Sequence, residues 1–205
     1  VVTNYDGLVG YLPYPTAAAP PCFGPGTRID TADGPVPVEQ LRVGMMLAMV
    51  GGGFAPLRLC LSSPRWTAGP DRASPVRIAA GVLGKGMPVE ELILSPQHRV
   101  WVSELGGLVP AKALTVLPGV THAHDIAWID YHHLVLDKHA LLLANGLPCE
   151  SLWPGEIALA GLPERAVRRI RAIMGPDPRP AGRFLTVAEA RRGFARVGLT
   201  PSRSG

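Results

Sequence analysis

Short apolar runs separated by turn residues dominate the first three quarters of this 205-residue chain. Segments 27–31 (TRIDT), 45–50 (MMLAMV), 57–61 (LRLCL), 76–79 (VRIA), 92–94 (LIL), 99–102 (RVWV), 121–129 (THAHDIAWI) and 134–136 (LVL) read as strands. Each is short, most alternate or are rich in β-branched residues, and Gly, Pro, Asp or Ser bounds most of them. Asp33-Gly34 follows the first run, a dipeptide that favours a tight hairpin because its backbone tolerates positive φ. Gly51, Gly52 and Gly53 mark a loop. Strands of this length with turns every 8 to 12 residues predict an all-β sandwich or barrel-like fold.

The period changes after residue 162. Pro163 sits where a first helical residue is expected, and Ala166, Val167, Ile170, Ile173 and Met174 form one apolar stripe with Gly175 beyond. That spacing predicts a short amphipathic helix. A second helix starts at Thr186, with Glu189 three residues on as a capping box, and ends at Gly198. Pro176, Pro178 and Pro180 stiffen the linker between them. At the opposite end, PYPTAAAPP closes an extended leader. The expected organisation is a leader over 1–21, a β domain over 22–154 and a basic helical tail over 155–205.

Composition agrees with many turns: 24 Gly and 22 Pro exclude a mostly helical bundle. The formal charge of +4 suggests a nucleic-acid partner until it is divided along the chain. Residues 155–205 hold ten Arg against four acids, a net of +6, and residues 1–154 hold ten bases against twelve acids, a net of −2. The β body is mildly acidic, so a basic nucleic-acid domain is not expected. No basic n-region opens the chain, and the uncharged apolar stretch 43–57 is broken by Gly51, Gly52, Gly53 and Pro56. No signal peptide or membrane span is visible; a soluble protein of unassigned compartment is expected.

Three cysteines, Cys22, Cys60 and Cys149, are too few and too scattered for a disulfide framework or a metal knuckle. Cys22 lies between Pro20-Pro21 and the first strand, in CFGPGT. Two readings are open for it: a small buried hydrophobe, or a nucleophile directed at its own upstream peptide carbonyl. In LILSPQHRVWV, Ser95 and His98 stand three residues apart in a turn between apolar runs, where hydroxyl and imidazole can bracket one peptide group or serve only the turn. Segment 131–152 (YHHLVLDKHALLLANGLPCESL) carries His132, His133, His139, Asp137, Cys149, Glu150 and Ser151. Alternation puts His132 and His133 on opposite faces, with at least one expected in solvent. His122 and His124 share a face but find no third ligand at regular spacing, so no metal or other cofactor is expected.

Taken together, CFGPGTRIDTADGPVPVEQLRVG, LILSPQHRVWV and the 131–152 segment resemble the Hint fold of hedgehog autoprocessing domains and inteins, in particular the bacterial Hint-domain branch without a splicing partner segment. The resemblance spans about 22–153 and implies a mostly β Hint-type fold with an appended short α-helical tail. It also implies chemistry. Cys22 would attack the carbonyl of Pro21 and turn the Pro21–Cys22 peptide bond into a thioester, which water or an external nucleophile resolves. His98 would protonate the leaving nitrogen, Ser95 would hold or polarise the scissile peptide, and His133, near where inteins carry a functional Asp, would handle protons. The partner is then the chain's own segment 1–21; neither membrane nor nucleic acid is needed.

Departures from the pattern shape the expectation. Glu150-Ser151 stands where splicing inteins end in His-Asn, so splicing is not expected. Met45 follows Gly44 where related sequences carry Asp, and no sterol-binding extension is recognisable in the tail. Pro21 before Cys22 is expected to make the scissile link a tertiary amide without an N–H. Three rivals remain: a degenerate Hint-fold interaction module of a larger bacterial protein, a Cys/His hydrolase acting on other peptides, and a nucleic-acid binder using Arg165, Arg168, Arg169 and Arg171.

Overall fold

The computed structural model describes residues 20–67, 74–160 and 162–198. Residues 1–19 of the expected leader lie outside that set. The fold is mostly β. Strands β1 (Arg28–Thr31), β2 (Gly34–Pro37), β3 (Met46–Ala48), β4 (Phe54–Pro56), β8 (Arg99–Val102), β9 (Gly107–Pro110), β12 (Leu141–Ala144) and β13 (Leu147–Glu150) make one sheet. Its order is β4-β3-β1-β12-β13-β8-β9, with β2 paired to β1. A smaller sheet joins β6 (Val76–Ile78) to β7 (Leu92–Leu94) and β10 (Val120–His122). A long two-stranded ribbon pairs β5 (Leu59–Trp66) with β11 (Trp128–Val135). The chain closes with α1 (Glu156–Ala160), α2 (Glu164–Met174) and α3 (Val187–Arg196).

The expected hairpin forms, with Thr31 paired to Gly34, so the two turn residues are Ala32 and Asp33. Segment 121–129, read as one run, is divided: β10 ends at His122 and β11 begins at Trp128. Between them Asp125 turns outward to ion-pair with Arg77 at 2.7 Å. The ribbon strand β11 then runs through His132 and His133 to the segment read as separate at 134–136.

The ribbon's two faces meet different partners. Cys60 and Leu134 enter the main core with Phe23, Ile29, Leu47 and Val100. On the other face, Leu59, Leu61 and Val135 are covered by Ala166, Ile170 and Met174 of α2. Further along that face, Ile129 and Tyr131 pack with Cys22 in a small cluster of their own. Alternation along β11 thus sends His133 and Tyr131 to the Cys22 side.

Both tail helices form, with one shift: Pro163 is the extended residue before α2, whose first helical residue is Glu164. Pro163 and Gly175 flank α2, and Thr186 and Glu189 exchange hydrogen bonds as a capping box on α3. Helix α3 docks on the β body: Phe194 and Ala190 are fully buried in the main core. Gly193 lets it approach, since a Cβ there would stand 2.6 Å from Leu105 Cδ2. Among the described residues no helix is long and apolar enough to cross a membrane.

Candidate active site

The segment from Cys22 to Gly24 bridges two sheet elements. Phe23 N–H donates to the His132 carbonyl and His132 N–H to the Phe23 carbonyl, both at 2.9 Å, which ties the segment to β11. Gly24 N–H donates to the Ile93 carbonyl at 2.8 Å, tying it to β7. A Cβ at Gly24 would lie 2.8 Å from Ile93 Cβ, so this close pass needs glycine.

The turn after β7 grips the same peptide. Ser95 N–H donates to the Cys22 carbonyl at 3.0 Å, and Cys22 N–H donates to Ser95 Oγ at 3.0 Å. Ser95 Oγ–H then donates to the Pro20 carbonyl at 2.8 Å. The expectation of a tertiary amide at Pro21–Cys22 is corrected here: the proline nitrogen belongs to the preceding Pro20–Pro21 bond, and the bond before Cys22 keeps an N–H that Ser95 accepts. His98 N–H donates to the Ser95 carbonyl at 3.0 Å and closes the turn. The His98 ring stacks edge-on against Phe23, centroids 4.3 Å apart, and neither ring nitrogen reaches a hydrogen-bond partner among the described residues.

His133 reaches the Pro21–Cys22 bond from the ribbon. Its Nδ1 lies 3.0 Å from the Pro21 carbonyl oxygen, and its Nε2 lies 3.6 Å from Cys22 Sγ. A carbonyl only accepts, so Nδ1 carries the proton and Nε2 presents a lone pair to the thiol. One imidazole therefore touches the Pro21 carbonyl oxygen and faces the Cys22 sulfur. The thiol proton itself points to the Pro20 carbonyl, with Sγ 2.7 Å from that oxygen.

Burial sets the charge state. Cys22, Ser95, His98 and His133 are all at most 1% exposed. Burial pushes the Cys22 thiol well up; the Arg65 cation and the Ser95 hydroxyl pull it back only in part. Burial lowers both His98 and His133 to about 3, offset slightly by the backbone of Cys22 and of Pro21 respectively. The resting site is thus a neutral thiol beside two neutral imidazoles.

All four of these residues meet here: Ser95 and His133 hydrogen-bond the Pro21–Cys22 peptide, Cys22 lies within it, and His98 is packed beside them. The expectation that His132 or His133 faces solvent is overturned. Both are buried, His132 because the Phe23 segment and the main core cover its face. His122 and His124 are 5.9 Å apart, and no group of three His, Cys, Asp or Glu among the described residues could hold a metal ion. Tyr131 was not foreseen, although it lies two residues before His133 and so on the same face. Glu150, at the place of the splicing His, is fully buried and takes the Arg99 N–H at 2.9 Å and His139 Nε2 at 3.2 Å.

A β fold that threads a cysteine junction between two sheets and brackets it with a Ser-x-x-His turn defines the class of self-acting processing domains. The Hint domain family profile matches residues 21–156, and the chain belongs to that family. Among solved structures the chain is similar to the bacterial intein-like domain from Clostridium thermocellum, at 16% identity over 63% of this chain and 98% of that one, TM-score 0.49. It is also similar to a DnaB intein from Synechocystis sp. PCC 6803, at 11% identity over 65% and 99%, TM-score 0.47. The gp41-1 intein aligns at 12% identity over 63% and 97%, TM-score 0.38. No curated protein matches the chain.

Proposed function

We propose that this Hint domain breaks its own Pro21–Cys22 bond through a thioester, without splicing. The observation that carries the reading is the double contact of His133, Nδ1 on the Pro21 carbonyl oxygen and Nε2 towards Cys22 Sγ. In the first step His133 Nε2 takes the thiol proton and Sγ bonds to the Pro21 carbonyl carbon. The oxygen gains negative charge, and Nδ1–H, now on an imidazolium, donates to it more strongly. The C–N bond then breaks, with its electron pair going to the Cys22 nitrogen, which takes a proton. His98 is assigned as that donor; burial keeps it neutral in the resting site, so it donates as the proton that His133 took from the thiol is passed to it, and the net movement is one proton from sulfur to nitrogen with both imidazoles neutral again. Ser95, already accepting from the nitrogen, holds the peptide in place throughout. Water or an added thiol then attacks the thioester carbonyl and releases segment 1–21.

Full burial of Cys22 supports action on its own adjoining bond over hydrolysis of other peptides. Glu150-Ser151 in place of His-Asn supports cleavage without Asn cyclisation. One observation favours the alternative of a scaffold that no longer cleaves: the thiol proton is bonded to Pro20 O, not to His133. Intact-mass measurement and N-terminal sequencing of freshly made protein, with and without a small thiol, separate the two. Cleavage removes the mass of residues 1–21, exposes Cys22 as the new terminus, and is faster with thiol and absent in Cys22→Ala. A full-length mass that persists alike in both chains supports the silent scaffold.

A further inference from the structure

We propose that Tyr131, backed by the Arg65 guanidinium, is the hydrogen-bond donor that stabilises the Cys22 thiolate. This rests on the cleavage reading for its purpose, but not for its geometry. Strand β11 pairs Tyr131 with Ser63 and Ile129 with Arg65, so Arg65, Ser63, Tyr131 and His133 share the ribbon face turned to Cys22. Cys22 packs with Ile129 and Tyr131 in one buried cluster. The Tyr131 hydroxyl is the anomaly there: the residue is 1% exposed, and its oxygen has no hydrogen-bond partner among the described residues. Buried hydroxyls are normally satisfied.

The other groups facing Sγ cannot serve an anion as they stand. The Pro20 carbonyl, which takes the thiol proton now, repels a thiolate. The Ser95 hydroxyl is already donated to that same carbonyl. His133 turns a lone pair to sulfur and becomes a donor only after taking the proton, and His98 makes no hydrogen bond through its ring among the described residues. Among the described residues around Sγ, Tyr131 brings an unspent O–H. Burial and the nearby Cys22 push its phenol well up, so it stays a donor across the physiological range. Arg65 supplies the fixed charge: it acts on Cys22, Tyr131 and His133 alike, in each case favouring the anion or opposing the cation.

Tyr131→Phe keeps the ring and removes only the oxygen. Two readouts are taken on the full chain. The first is the pH dependence of the cleavage rate by intact mass. The second is the Cys22 ionisation itself, followed by the Cβ resonance of ¹³C-labelled cysteine in a His133→Gln background that slows cleavage. Expected for Tyr131→Phe is a rise of about one pH unit in thiol ionisation and a roughly tenfold slower reaction on the acid side of its profile. Arg65→Met should move both in the same direction, and Arg65→Lys should restore most of the shift. If Cys22 ionises at the same pH in the Tyr131→Phe chain as in its parent, or not at all before the chain unfolds, the proposal is overturned. If the ionisation moves as expected while the native chain never cleaves, the Tyr131 role stands and the cleavage reading fails.

Discussion

Acidification from about pH 7 to about pH 5 is expected to remove about 4 kcal/mol of folding stability through two histidines. Burial holds His98 and His133 at about 3, whereas in the unfolded chain an imidazole titrates near 6.5. Between those values the unfolded state binds protons that the folded state refuses, so stability falls as pH drops. Their contribution is complete above about pH 7 and is lost from there downward. For each histidine the loss is RT ln(1 + 10^(6.5−pH)), which is about 2 kcal/mol near pH 5 and about 0.2 near pH 7. That figure hardly depends on the folded value, since anything below about 4 leaves the folded ring neutral at pH 5. Burial lowers His132 as well, opposed by Asp130 and Glu39, which adds in the same direction. The assay is urea unfolding at several pH values between these limits and constant ionic strength, above the range in which most carboxylates titrate. His133→Leu removes one titrating group from both states and should lower the pH-dependent loss by about 2 kcal/mol. Equal stability at the two ends, or an undiminished loss in His133→Leu, refutes the picture of two neutral imidazoles in a dry site.

Other outcomes follow from named contacts. His133→Gln keeps an N–H for the Pro21 carbonyl but cannot take a proton, so autocleavage measured by intact mass should slow about a hundredfold or more. Phe194→Ala empties a fully buried site in the main core and should cost about 3–5 kcal/mol in denaturant unfolding, showing α3 to be part of the cooperative unit. Asn145→Ala should cost about 2 kcal/mol or more: the side chain accepts from Arg28 N–H at 2.7 Å, donates to the Glu91 carbonyl at 2.8 Å, and sits on a backbone with φ of +46°. Asn145→Gly, relieved of the backbone strain, should lose less in the same unfolding assay.

What the sequence disclosed depended on how local the cause was. Helices α2 and α3 were legible because their signals, a flanking Pro and Gly and a capping box, lie within a few residues of what they control. The β12–β13 hairpin had an equally local sign, Asn145-Gly146 between apolar runs, with both residues at positive φ. It was read only as part of a motif, although the dipeptide alone could have placed the turn. Strand β9 was missed because all four of its residues are buried, which erases the alternation that marks a half-exposed strand. For the site, Cys22, Ser95 and His98 were visible as motif positions. That His133 reaches the Pro21 carbonyl depends on how β11 seats against the Cys22 segment, which residue spacing does not encode. The neighbourhood of Arg65 and Tyr131 depends on ribbon register between strands far apart in sequence and was equally hidden.

The anchoring of the junction is lopsided, and this bears on direction. On the amine side, Phe23 and Gly24 are fixed by three backbone hydrogen bonds to β7 and β11, and the Cys22 carbonyl takes a fourth from Ser95. On the acyl side, the hydrogen bonds among the described residues go to two carbonyl oxygens: Pro20 O, held by Ser95 Oγ and Cys22 Sγ, and Pro21 O, held by His133. Under the proposed cleavage, acyl transfer to sulfur would leave the backbone bonds of Phe23, Gly24 and the Cys22 carbonyl in place and alter the second set. The Pro20 carbonyl loses the thiol as a donor once Sγ is esterified, and the Pro21 carbonyl moves from nitrogen to sulfur. The new amine stays stapled where it formed, close to the thioester, so return to the peptide competes with release for as long as the acyl group is present. Under the proposed mechanism such a domain would commit to cleavage only when a nucleophile removes the acyl group. Added thiol should therefore raise the extent of cleavage as well as its rate, and a thiol effect on rate with an unchanged end point would show that the return reaction is negligible.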